Sequence, residues 1–249
     1  MAKKHMFCLV DTETTIDGTV ADFAALIVDR KGRVYHEMSV LVAGHYGVKK
    51  LFYDVNSADE IWTLKGLEKR NRIYQEMLDS GTRMLASPEA INKWIATALN
   101  RYPDLVFTAY NADFDLDKMK NTGIAQVSGD LPELAALHNT GINIHGFKHT
   151  FCLWKASVAK VMNSKAYVQH CIDRKWFTAK LNLRTNAEAM AEFVKGKALP
   201  PEPHTALEDA RDYELPILTW LVKDKPWHKH SQHGYNWREW QIADRVKPK

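Results

Sequence analysis

Two short apolar runs, Met6 to Val10 and Leu105 to Tyr110, each stop abruptly at a pair of acids: Asp11-Thr12-Glu13 after the first, Asn111-Ala112-Asp113-Phe114-Asp115 after the second. A short apolar run closed by a polar cluster reads as a buried strand ending in a functional edge. Strand ends of an α/β sheet are where side chains from distant sequence positions converge, so these acids are expected to share one cleft. In Asp11-Thr12-Glu13 the acids stand at i and i+2, which in extended chain places both on one face and Thr12 on the other.

The rest of the chain supplies the layers around such a sheet. Ala24 to Val28 and Val34 to Val42 flank Asp29-Arg30-Lys31-Gly32-Arg33, a hairpin signal that makes the first three strands an antiparallel meander. Residues 44 to 85 read as an insertion: a Gly-containing loop, then a helix-period stretch from Ala58 to Leu78 carrying Ile61, Trp62, Leu64, Leu67, Ile73, Tyr74 and Leu78. Ser87-Pro88-Glu89-Ala90 is an N-cap serine with proline at the first helical position, opening a helix through Leu99 that stops near Tyr102-Pro103. Helical spacing returns over Leu116 to Lys120, Phe151 to Met162 and Asn186 to Val194, whereas 123 to 146 is turn-rich. Leu199-Pro200-Pro201-Glu202-Pro203 is a stiff extended stretch that delivers His204, and Thr205 to Val222 reads as a final amphipathic helix carrying Asp209.

At 249 residues the chain fits one α/β unit with elaborations, expected over 1 to 222 with a tail at 223 to 249. No window is long and uncharged enough for a membrane span, and the N-terminus runs into a strand without a cleavage site, so a cytoplasmic protein is expected. Cys8, Cys152 and Cys171 are widely spaced and form no CxxC pair, which argues for buried thiols and against a disulfide scaffold or zinc ribbon. The net charge of +4 equals the surplus of seven Lys or Arg over three Asp or Glu from Lys223 onward. The body is neutral and the tail basic.

Four carboxylates, Asp11, Glu13, Asp115 and Asp209, would repel one another in a single cleft unless divalent cations held them, and hard oxygen ligands suit Mg2+ or Mn2+. Two such ions about 3.5 to 4 Å apart stabilise the attacking and leaving oxygens of phosphodiester cleavage.

Here a resemblance becomes specific. Phe7-Cys8-Leu9-Val10-Asp11-Thr12-Glu13-Thr14-Thr15 resembles the first motif of the DEDD exonucleases of the ribonuclease-H-like superfamily, and Asn111 to Asp115 resembles their second. His204-Thr205-Ala206-Leu207-Glu208-Asp209-Ala210 resembles the third, and a histidine five residues before the last Asp marks the DEDDh subgroup, which includes ribonuclease T, oligoribonuclease and the proofreading subunits of bacterial polymerases. The resemblance implies a ribonuclease-H-like α/β fold, with a mixed central sheet of about five strands flanked by helices. It implies two divalent cations, Mg2+ or Mn2+, on Asp11, Glu13, Asp115 and Asp209, with His204 as general base. The implied reaction is hydrolysis at the 3′ end of single-stranded nucleic acid, DNA favoured, by a free-standing enzyme rather than a proofreading subunit, with a separately supplied polymerase or repair protein as the alternative; by their positions, Thr14 and Asn111 are candidate contacts to the terminal nucleotide.

The chain also departs from the family. The Asp-Thr pair common between the second and third motifs has no clear counterpart, though His149-Thr150 is a candidate, and the 44 to 85 insertion and the tail are additions. Asp113 competes with Asp115, and the phenylalanine immediately before Asp115 favours the latter; Asp117 and Glu208 read as exposed helix charges. Lys65, Lys69, Arg70 and Arg72 fit a solvated helix face or a nucleic-acid groove. In the tail, Trp227, Tyr235, Trp237 and Trp240 among basic residues fit base stacking or packing on the domain, and His228, His230 and His233 lack zinc spacing. Rival readings are an exoribonuclease, a catalytically silent nucleic-acid-binding module and a small-phosphoester hydrolase.

Overall fold

The first strand runs straight through the acidic cluster instead of stopping before it. In the computed structural model, which describes residues 5–57, 59–124, 147, 149–161, 164–178 and 181–223, β1 spans Met6–Thr14. It stays extended because β2 (Val20–Asp29) pairs with it throughout, Asp11 opposite Ala24 and Glu13 opposite Asp22, until the register shifts between Glu13 and Thr14. β3 (Val34–Val42) completes the expected antiparallel meander. Gly32 makes the connecting turn at φ +77°, a backbone state that side chains strain.

On the other side of β1 lie two parallel strands, β5 (Val106–Ala109) and then β6 (His149–Cys152), while the two-residue β4 (Leu85–Ala86) lies parallel to β3. The result is an α/β architecture built on a mixed sheet in the order β4-β3-β2-β1-β5-β6. Its six strands exceed the expected five or so, and β6 overlaps a predicted helix. Phe151 and Cys152 pack into the cores on opposite faces of the sheet, an alternation that only a strand produces, and α4 (Leu153–Val161) begins after them. A short apolar run does not distinguish the two states by itself.

Helices cover both faces. α2 (Pro88–Arg101) starts as predicted, with Ser87 accepting the Ala90 N–H, and buries Ile91, Ile95 and Ala98. With α3 (Ala112–Asn121) it packs on the face that carries Cys8 and Val10. The opposite face, with Phe7 and Leu9, is covered by α4, α5 (Lys165–Arg174), α6 (Ala187–Lys195) and the final helix. A fully buried leucine such as Leu9 contributes about 1.5–3 kcal/mol to this packing.

That final helix is not the uniform α-helix expected over Thr205 to Val222. It comprises α7 (Ala206–Asp209), a π-turn at Ala210–Glu214, and α8 (Leu215–Val222), with the Leu215 N–H bonded to the Ala210 carbonyl five residues back. The insertion departs as well. Glu60–Trp62 is a separate 3-10 turn, Thr63 is extended and accepts the Gly66 N–H, and α1 runs over Leu64–Asp79. Gly66 is required here: a Cβ at this position would lie 2.1 Å from the Ile61 carbonyl oxygen. Leu67 and Tyr74 of α1 join Ala21, Leu41 and Leu51 in a core of their own.

All three cysteines are buried and free. Among the described residues no helix is long and apolar enough to cross a membrane. The turn-rich segment up to Gly146 and the tail beyond Lys223, with its aromatic residues and histidines, lie almost wholly outside the described residues.

Candidate active site

The parallel pairing of β1 with β5 brings their carboxyl ends side by side, and the acids gather there. Asp11 and Glu13 occupy alternate positions of β1, as their spacing predicts. Thr12 points to the other face and donates its hydroxyl to Asp115 Oδ1 at 2.8 Å. Asp115 lies in the first turn of α3, which starts earlier than the periodicity from Leu116 suggests, and its carboxylate also accepts backbone N–H groups from Thr12 and from itself. Asp209 comes from α7, held against β1 and β2.

Burial dominates the electrostatics of this cluster. Asp115 is pushed up to about 7 by desolvation, against the hydrogen bonds from Thr12. Asp11 is raised well above the carboxylate range by burial and then by the charges of Glu214, Asp115, Asp209 and Glu13. Asp209 is raised by burial, then by Glu13, Glu202 and Glu214. Asp11 Oδ2, Asp209 Oδ1 and Glu214 Oε2 are buried without a hydrogen-bond partner among the described residues. Such oxygens are stable only when a proton or a cation neutralises them.

His204 stands at the mouth of the cluster in a left-handed backbone conformation, φ +56°, uncommon for a residue with a side chain. Tyr74 of α1 donates its hydroxyl to the His204 carbonyl at 3.2 Å, and buried Asp22 accepts the Ala206 N–H at 2.9 Å, so the backbone is pinned on both sides. Nδ1 of His204 lies 3.7 Å from Glu13 Oε1, an ion-pair contact longer than a hydrogen bond. Burial pulls the imidazole down, but Glu13 and then Glu202 outweigh it and set it above its ordinary value. The ligand atoms of Glu13, His204 and Asp209 lie within 4.8 Å of one another, a spacing that can hold a metal ion.

Beside the acids opens a cavity of about 490 Å³ lined by Glu13, Thr14, Phe52, Trp62, Asn111 and Phe114 among others. Both residues expected to touch a substrate, Thr14 and Asn111, line it. Phe52 and Phe114 are exposed large apolar side chains at its wall, and the Lys118 ammonium lies 5.1 Å from the Phe114 ring centre.

Other expectations divide. Asp113 faces outward and pairs with Lys155 at 2.6 Å, whereas Asp115 is buried. Asp117 is a surface charge paired with Lys118. Glu208 is not freely exposed: it is bound 2.5 Å from buried Arg83. His149-Thr150 opens β6 opposite Val106 and Phe107, upstream of the strand ends where the acids meet. Arg70 belongs neither to a solvated face nor to a groove. It is 1% exposed, its guanidinium lies 4.9 Å from the Trp62 ring and donates to the Phe52 carbonyl, and Trp62 in turn packs 4.4 Å from the His204 ring.

Three contributors escape the sequence reading. Glu202 is pushed up to about 7 by burial and reaches His204 and Glu13; its position two residues before His204 in extended chain is a same-face signal that could have revealed it. Trp62 carries no sequence signal for its contact with His204, and Glu214 is concealed by the α-helical period. No family model matches the chain, and no curated protein matches it.

Proposed function

We propose that this protein is a metal-dependent 3′-5′ exonuclease of the DEDDh type on a ribonuclease-H-like fold, hydrolysing the terminal phosphodiester of single-stranded DNA. The observation that carries this reading is the convergence of Asp11, Glu13, Asp115, Asp209 and His204, with buried carboxylate oxygens that have no hydrogen-bond partner among the described residues. An oxygen-rich donor set with one imidazole fits Mg2+ or Mn2+, which Asp11, Glu13, Asp115 and Asp209 would hold. Bound there, two such ions supply charge stabilisation to the entering and leaving oxygens.

The protein's own groups do the rest. The aromatic walls Phe52 and Phe114 stack the terminal base, and Thr14 and Asn111 give the cavity polar contacts to its sugar and phosphate. His204 takes a proton from the attacking water at Nε2, because Nδ1 faces Glu13. Water adds to the terminal phosphorus, its bond to the O3′ of the preceding nucleotide breaks, and a nucleoside 5′-monophosphate leaves. Against burial, the carboxylates of Glu13 and Glu202 hold the His204 imidazole above its ordinary value. The basic, aromatic tail fits contacts to the remaining strand.

The test is degradation of 5′-labelled single-stranded DNA and RNA of matched sequence with Mg2+, with Mn2+ and with chelator. A metal-dependent ladder shortening from the 3′ end of DNA is expected. RNA as the better substrate would overturn the sugar assignment, and intact substrate in every lane would overturn the reaction.

A further inference from the structure

We infer that Glu214 is a further metal-binding carboxylate of this site, carried to it by the π-turn of the final helix; the inference rests on the metal-dependent reading above. In an uninterrupted α-helix each residue advances about 100°, so a residue five on from Asp209 would lie roughly 140° round the axis and face away from β1. The structure interrupts the α-helix at the residues that separate the two acids. The bond from the Leu215 N–H to the Ala210 carbonyl widens the turn to an i→i+5 repeat, which brings Glu214 close to the line of Asp209. Turns of this kind are rare and frequently occur at functional sites.

The side chain is placed for the task. Glu214 is 3% exposed, and its Oε2 has no hydrogen-bond partner among the described residues. Its carboxylate accepts the backbone N–H of Tyr110, the residue that joins β5 to Asn111, so one side is anchored while Oε2 is left over. Among the neighbouring charges acting on Asp11, that of Glu214 is the largest, ahead of Asp115, Asp209 and Glu13. No cation pairs with it among the described residues. A buried carboxylate with an orphaned oxygen, whose charge acts on Asp11 more than those of the other acids, is suited to ligate a hard divalent cation.

The experiment is calorimetric titration of the full chain with Mn2+, comparing the parent, Glu214→Gln and Asp11→Asn, with thermal unfolding in chelator alongside. Glutamine keeps the volume and the acceptor for Tyr110 but removes the charge. The expected result is a roughly 10–100-fold loss of Mn2+ affinity in Glu214→Gln with a metal-free melting temperature no lower than the parent's. Parent-like affinity in Glu214→Gln would overturn the proposal while leaving the metal reading intact, provided Asp11→Asn is impaired. Absence of Mn2+ binding by the parent would overturn both. Should Glu214→Gln fail to fold, Glu214→Asp carries the test: its shorter reach weakens binding with an unchanged circular dichroism spectrum, and parent affinity in that variant overturns the proposal.

Discussion

Removing one of the clustered buried carboxylates should make the metal-free protein more stable, and Asp115→Asn is the variant in which the size of the effect can be worked out. Asparagine is isosteric, and its carbonyl can still accept the Thr12 hydroxyl that now reaches Asp115 Oδ1 at 2.8 Å. Burial raises the Asp115 carboxyl from an ordinary 3.8 to about 7, roughly three units, so its contribution reaches about 4 kcal/mol at ~1.36 kcal/mol per unit. The sign follows from where the proton sits. Below the ordinary value both folded and unfolded chains are protonated and nothing is lost. Between there and about 7 only the unfolded chain releases the proton, so stability falls as pH rises, and above about 7 the full penalty applies.

In chelator at pH 8 the asparagine variant should therefore exceed its parent by about 2–4 kcal/mol, the upper figure being a ceiling because neighbouring acids share the proton. At pH 5 the gap should shrink by about 2.7 kcal/mol, the two units from pH 5 to the raised value. Saturating Mg2+ should narrow the pH 8 gap, since a ligand at a hundred times its dissociation constant stabilises the parent by about 2.7 kcal/mol and the variant far less. Urea unfolding followed by circular dichroism at pH 5 and pH 8, with and without Mg2+, measures all three. An asparagine variant less stable than its parent in chelator at pH 8, or a gap independent of pH, would refute the reasoning.

Three further outcomes can be checked more briefly. Gly66→Ala forces a Cβ against the Ile61 carbonyl oxygen at 2.1 Å and must displace the turn that carries Trp62 onto His204; kcat should fall at least tenfold (about 1.4 kcal/mol of transition-state stabilisation) with the sheet intact, and a parent-like kcat would show that the Trp62 contact does not position His204. Glu192, 1% exposed, accepts two bonds from Arg174 and one each from Trp176 Nε1 and the Leu199 N–H, and although burial opposes it these partners hold it at about 2 against an ordinary 4.5. Its roughly 3 kcal/mol of stability is fully present above pH 4.5 and lost as pH falls through about 2, so unfolding curves of Glu192→Gln and parent should differ at pH 6 and converge in acid; a constant gap would refute the assignment. Truncation after Val222 removes a surplus of four positive charges and should flatten the salt dependence of single-strand binding, measured by fluorescence anisotropy at several salt concentrations.

Much of the site was legible because its signals are local. The i, i+2 spacing of Asp11 and Glu13 requires a shared face, Ser87-Pro88 requires a helix start, and the prolines before His204 exclude helix there; all of these depend on backbone geometry within a few residues. The motif pattern favoured Asp115 over Asp113; in the fold Asp113 pairs with Lys155 at the surface and Asp115 is buried. What stayed hidden depends on contacts between residues far apart in the chain. Whether Phe151-Cys152 is strand or helix turns on β5 being available to pair with it. Arg70 looks like a surface charge until Trp62 and Phe52 close over it, and Trp62 meets His204 only because the insertion folds back onto the site. Glu214 is the clearest case: the sequence determined a carboxylate at a position the α-helical period turns outward, and the tertiary structure, through a π-turn in the final helix, decided that it is buried where its charge acts on Asp11.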